Sequence, residues 1–233
     1  MYLFAHFFTG VLIALGVFNL SNDRRVFPIC IAGALLPDLL DKPLMLLIPG
    51  IFGSTRTIGH SLLLVSVLVL VALLLWYHSR SILGFAFAGS VLSHQILDAM
   101  WILPVTWFFP LHGTFRFIPV SGNIWHFLWL ESASPSEWVF ALASGILIMT
   151  GYVGIRDRRT TAPSFFRTDF LLYGFACLLG CMGLFLIALG LNAASGSFLA
   201  PSYEPDTTLM AGIVALVGAI VFIIRPCLPR PAV

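Results

Sequence analysis

Charge is what this chain lacks most. Of its 233 residues only 9% are Asp, Glu, Lys or Arg, twelve basic against ten acidic, for a formal net charge of +2. A solvated, highly charged surface is excluded. The basic residues fall in short clusters, Arg24 with Arg25 and Arg156 with Arg158 and Arg159, without a continuous patch or an RNA-binding aromatic motif. No nucleic-acid partner is expected. Cysteine is scarce as well: Cys30, Cys177, Cys181 and Cys227 lie in or beside apolar segments, where they read as small packing residues rather than disulfides or metal thiolates. No G-x-S-x-G string offers a nucleophile. The first residues carry no Lys or Arg, and no small-residue cleavage site follows the first apolar run. That run is expected to remain as a span rather than leave as a signal peptide.

What fills the chain is apolar: 59% of residues are hydrophobic and the mean hydropathy is +1.00. This composition implies an all-α fold, a polytopic transmembrane helical bundle of about six or seven spans. Apolar stretches run over about 4 to 20, 26 to 40, 58 to 77, 82 to 103, 136 to 155, 168 to 192 and 207 to 224. Most approach the ~20 residues that a crossing helix needs. The second is the exception. Pro37, Asp38, Asp41 and Pro43 are expected to end it near residue 40, giving ~20 Å of helix that crosses with tilt or turns back.

Arg24 and Arg25 follow the first segment, Arg80 the third, Arg156, Arg158, Arg159 and Arg167 the fifth, and Arg225 and Arg230 the seventh. If all seven segments cross, these clusters share one side, which the positive-inside rule makes cytoplasmic. The amino end is then outside and the carboxyl end inside, as for an integral protein of a bacterial or archaeal inner membrane. His6, Asp38 with Asp41, His60, and His94 with Asp98 then all fall at one depth, toward the outer face. Ionisable groups in hydrocarbon are costly and usually functional, and a common depth points to one shared site.

Spacing agrees. His94 and Asp98 are four apart, as are Arg56 and His60, while Asp38 and Asp41 are three apart, so each pair can share a helix face. Mixed imidazole and carboxylate donors favour zinc, where carboxylates alone would suit Mg²⁺ or Mn²⁺. Arg56 is placed to hold an anionic substrate oxygen. His112 and His126 lie among Trp101, Trp107, Trp125 and Trp129, an interfacial aromatic belt, with His126 a reserve ligand. From about residue 136 onward the spans carry almost no ionisable residues, and Gly174, Gly180, Gly183 and Gly190 favour close helix packing.

The strings AHFFTG (5–10), LLPDLLDKP (35–43), RTIGHSLL (56–63), GSVLSHQILDAMW (89–101) and FFPLHGTFRFIP (108–119) resemble the YdjM-type family of membrane-bound metal-dependent hydrolases over roughly the first half of the chain. That family is in turn similar to zinc-dependent phospholipases C and zinc nucleases. The resemblance implies His6, Asp38, His60, His94 and Asp98 as ligands of one or two metal ions, with Asp98 as a bridge. Asp41 follows Asp38 by three residues rather than the family's two, Lys42 stands where a His is common, and Thr55 replaces a His before Arg56. His126 is at the wrong spacing from Glu131 for a third metal. The expected activity is hydrolysis of a phosphoester, a phospholipid or lipid-linked substrate, with Arg56 stabilising charge and Asp41 as general base or as partner of a ligand. Residues 1–130 would form the metal-bearing hydrolase domain. Residues 131–233 would add three helices that scaffold it or make a lipid or homo-oligomer contact. The rival readings are a metal-ion or proton-coupled transporter using the same His and Asp residues, or a non-catalytic scaffold.

The topology is checked by cysteine labelling. A Gly122→Cys variant should react with a membrane-impermeant maleimide from outside the cell, and reaction only from the cytoplasmic side would overturn the orientation.

Overall fold

The computed structural model describes residues 3–48, 54–115, 134–156, 165–191 and 205–224. Among them every regular element is helical: α1 (Leu3–Ser21), α2 (Val26–Leu47), α3 (Leu62–Ser79), α4 (Leu83–Leu97), α5 (Pro104–Trp107), α6 (Pro135–Arg156), α7 (Phe165–Leu191) and α8 (Pro205–Ile224). Two 3₁₀ turns, Ile58–His60 and Met100–Ile102, lie between them. Leu3–Ser21, Leu62–Ser79, Tyr173–Leu191 and Pro205–Ile224 are long and apolar enough to cross a membrane, and Leu83–Leu97 and Pro135–Met149 are shorter apolar helices. The protein is thus a helical membrane bundle. The chain divides into two compact units, Thr9–Trp129 and Met1–Phe8 with Leu130–Val233.

In the Thr9–Trp129 unit, α2 differs from the sequence expectation. Pro37 and Pro43 do not end it, and the helix continues for 22 residues to Leu47, about 33 Å and long enough to cross. A proline withholds only the one amide that would bond four residues back, and neighbouring helices can take up the slack. Here the turn before Pro37 is held against α4. A Cβ added at Gly33 would lie 2.7 Å from the Phe87 carbonyl oxygen, so the two backbones approach as only glycine allows. The Ala34 carbonyl accepts a hydrogen bond from His94 Nδ1 at 2.7 Å.

Ala14, Val26, Cys30 and Ala86 form a buried core, packed by Ile13, Val17, Phe18, Phe27 and Leu83. Cys30 is a free, buried thiol within it, and Cys177 and Cys181 are free and exposed on α7. Cys227 lies outside the described residues. Between α1 and α2, Asp23 accepts from the Arg25 amide at 2.9 Å and from its guanidinium at 2.8 Å. The Arg25 guanidinium holds that carboxyl below the usual carboxylate range. The second half of α2, the turn before α3 and the end of α4 meet at one end of this unit, which gathers the polar residues of three segments.

In the other unit, α7 lies along α8. A Cβ at Gly183 would stand 2.9 Å from the Gly212 carbonyl oxygen, and one at Gly190 2.8 Å from Leu209 Cβ, whereas Gly174 has open space. Two of the four glycines marked in the sequence therefore set the close approach. Phe8 packs on Phe140 with ring centroids 5.6 Å apart. Glu137 Oε2 accepts from the Phe4 amide at 2.6 Å, at the start of α1.

Candidate metal centre

Asp41 organises the site. It is fully buried, and its two oxygens accept four hydrogen bonds: from Thr57 N (2.6 Å), Thr57 Oγ1 (2.8 Å), Gly59 N (2.8 Å) and His60 Nδ1 (2.7 Å). A carboxylate offers about four acceptor directions, and all are used here. The consequence for the chain is local. Thr57 takes a non-helical conformation (φ −134°, ψ −119°), Ile58–His60 forms a 3₁₀ turn, and α3 starts only at Leu62, with Ser61 Oγ accepting from Leu64 N. Arg56 and His60 therefore do not share a helix face, as their four-residue spacing suggested. The amides that would have continued a helix backward from His60 are bonded to Asp41 instead.

His94 and Asp98 keep the expected register. Asp98 caps the carboxyl end of α4, its amide bonded to the His94 carbonyl at 3.0 Å, before Ala99 turns the chain with a positive φ of 50°. The Ala34 carbonyl can only accept, so His94 Nδ1 carries a proton, and in a neutral ring Nε2 then carries none. His60 Nδ1 faces a carboxylate and is assigned the same tautomer on the same logic. With both rings in that neutral tautomer, the two Nε2 atoms carry no proton and face each other at 3.2 Å. Lone pairs at that distance repel unless a proton or cation lies between them.

Carboxylates complete the cluster. Asp38 Oδ1 lies 3.8 Å from His60 Nε2 and 3.9 Å from His94 Nε2, and Asp98 Oδ2 lies 3.4 Å from His60 Nε2. Among the described residues Asp38 Oδ1 is buried and accepts no hydrogen bond, a costly state for a carboxylate oxygen unless a cation meets it. Ligands at Zn–N and Zn–O distances of about 2.0 to 2.2 Å sit roughly 3.3 Å from one another in a tetrahedral site, close to the separations here. Donor atoms of Asp38, His60 and His94 all lie within 4.8 Å of one another, so the residues fit a metal ion.

Two cations border the cluster: Arg56 Nε is 3.3 Å from Asp98 Oδ2, and Lys42 Nζ is 3.0 Å from Asp38 Oδ2. His6 is buried on α1, in the Met1–Phe8 segment of the other unit. His112 stacks near Phe108 at 5.2 Å and is exposed, and His126 lies outside the described residues.

Sequence reasoning passed over Gln95. Its buried amide donates to the Gly59 (3.1 Å) and Ser61 (3.0 Å) carbonyls, and its oxygen accepts from Trp107 Nε1 at 3.0 Å. The amide thus ties α4 to both the His60 turn and α5. The available signal was a polar amide between His94 and Asp98 in an apolar helix. Glu137 was also missed, at the edge of a span read as nearly free of ionisable groups.

An apolar helical bundle with a buried His and Asp cluster defines a polytopic membrane protein with a candidate metal centre. The chain belongs to the YdjM inner membrane protein family, whose model matches residues 1–160. The match takes in all five strings quoted above and extends through α6, beyond the first half on which the resemblance was read. No curated protein and no solved structure matches the chain.

Gly59 offers a direct check of the turn. A Cβ there would lie 2.7 Å from the Pro37 carbonyl oxygen and 3.0 Å from Asp41 Oδ1. Gly59→Ala should therefore cost about 1–3 kcal/mol of stability, read as a lowered melting temperature in detergent. Gly89→Ala, which meets nothing within 4 Å among the described residues, should leave the melting temperature unchanged or raised.

Proposed function

We propose that the protein is a membrane-embedded, metal-dependent phosphoesterase. The observation that carries this reading is the pair of imidazole Nε2 atoms 3.2 Å apart, each with its Nδ1 engaged elsewhere, beside a buried carboxylate oxygen that accepts no hydrogen bond among the described residues. Such a donor set is arranged for a cation, and its mixed nitrogen and oxygen character favours zinc. His60, His94, Asp38 and Asp98 would hold the ion. A divalent ion bound there would supply Lewis acidity and lower the pKa of a coordinated water.

The protein's own groups divide the remaining work. Asp41, with all four acceptor directions used, positions His60 by fixing its proton on Nδ1, as carboxylate partners of metal-binding histidines do. Of the two roles expected for Asp41, this geometry favours the positioning one. Arg56 reaches the cluster through Asp98 and is 13% exposed at its side chain, which places its guanidinium to meet a phosphoryl oxygen and stabilise developing charge. Burial of the ligands excludes bulk water and strengthens each of these interactions. The apolar surroundings favour a phospholipid or lipid-linked phosphoester, presented at the outer face if the amino end is outside.

Metal analysis and a phosphoester panel on purified protein test this reading. Wild type should hold a divalent metal and cleave at least one phosphoester, and His94→Ala and Asp98→Ala should lose metal and activity together. A wild-type protein that holds no metal, or that holds metal, cleaves nothing and moves ions in liposomes, would refute it.

A further inference from the structure

The chain contains one lysine, Lys42, and it stands one helical turn after Asp38 with Nζ 3.0 Å from Asp38 Oδ2. Its side chain is 26% exposed while the carboxylate it touches is 4% exposed. The ammonium therefore sits at the boundary between the buried cluster and its surroundings. Arg56 occupies the corresponding place on Asp98, 3.3 Å from Oδ2. Each carboxylate that faces His60 thus carries a cation beside it.

We propose that Lys42 is a second anion-binding residue of this centre, acting with Arg56 to hold a phosphoryl monoanion. This inference rests on the metal-centre reading above. Charge balance supports it. Among the described residues of the cluster, Asp38, Asp41 and Asp98 contribute three negative charges, Lys42 and Arg56 two positive ones, and the imidazoles none when neutral, which leaves −1. One divalent ion brings the sum to +1. An unbalanced charge is costly in a buried, low-dielectric site, and a single anionic oxygen offsets it. A phosphodiester carries that one charge. A lysine ammonium suits this place because its three rotatable donors can serve a carboxylate and a phosphoryl oxygen at once. Arginine's planar fork suits the other side.

Lipid headgroups and water-soluble diesters share this chemistry, so the probes are dimethyl phosphate and a short-chain phosphatidylglycerol. Each is titrated calorimetrically into zinc-loaded full-length protein in a neutral detergent, with bound zinc counted by mass spectrometry. Lys42→Met should weaken binding of both probes by about tenfold or more, the loss expected for one charge-assisted hydrogen bond, with zinc content unchanged. Lys42→Arg should restore most of the affinity. Tighter binding of the lipid than of dimethyl phosphate in wild type would assign the headgroup as the source, and equal binding the soluble diester. If Lys42→Met keeps its zinc and binds both probes as wild type does, the inference fails alone. If Lys42→Met loses zinc and Lys42→Arg regains it, Lys42 serves only to hold Asp38, and the inference is likewise overturned. If wild type takes up no zinc, the metal-centre reading fails and this inference with it.

Discussion

The Asp41 carboxylate is the constraint on which the rest of the site depends. It stands in the second half of an apolar helix, where an ionised group survives only if its acceptor directions are met. The 57–60 segment meets them with two backbone amides, a hydroxyl and an imidazole. Each partner of Asp41 is thereby fixed. The turn cannot wind into helix, His60 cannot rotate, and Nε2 is left pointing at its counterpart on α4. Gly59 belongs to the same constraint, since a side chain there would meet Asp41 itself and the Pro37 carbonyl oxygen. A single buried charge thus fixes a loop conformation, a ring tautomer and the separation of two prospective ligands.

The second support comes from backbone that proline disturbs. Pro37 withholds the amide that the Gly33 carbonyl would have used, and at that turn α2 is pressed so closely on α4 that Ala34 can accept from His94. Both histidines are therefore oriented by oxygens of α2, one from a side chain and one from the main chain, seven residues apart. Gln95 adds a cross-link from α4 to the His60 turn. Satisfying polar groups inside a bundle surrounded by apolar side chains is demanding, and here the bonds that satisfy Asp41 and the two Nδ1 atoms also aim two nitrogens at one point.

Much of this was legible in the residues. Apolar length announced the helices, and the rarity of His and Asp in apolar segments singled out the residues that cluster. The i, i+4 rule held for His94 and Asp98 because nothing in α4 competes with the helix up to Ala99. It failed for Arg56 and His60 because spacing says nothing of a distant carboxylate able to capture the intervening amides. Proline suggested a short α2, since its cost was visible in sequence while the close α4 packing that offsets it was not. Gln95 and Glu137 escaped notice because their importance lies in long-range backbone partners, the Gly59 and Ser61 carbonyls for one and the Phe4 amide for the other, which no local pattern encodes. The family match through residue 160 covers the whole set of cluster residues, while α7 and α8 lie beyond it.

The central claim is that His60 and His94 share one cation. X-ray absorption at the zinc edge of the purified, zinc-loaded protein tests it most directly. A shared cation should show a first shell of nitrogen and oxygen at about 2.0–2.2 Å, with the outer-shell signature of two imidazoles that falls to one in His60→Ala. A shell of oxygens without imidazole, or a spectrum that His60→Ala leaves unchanged, would contradict it.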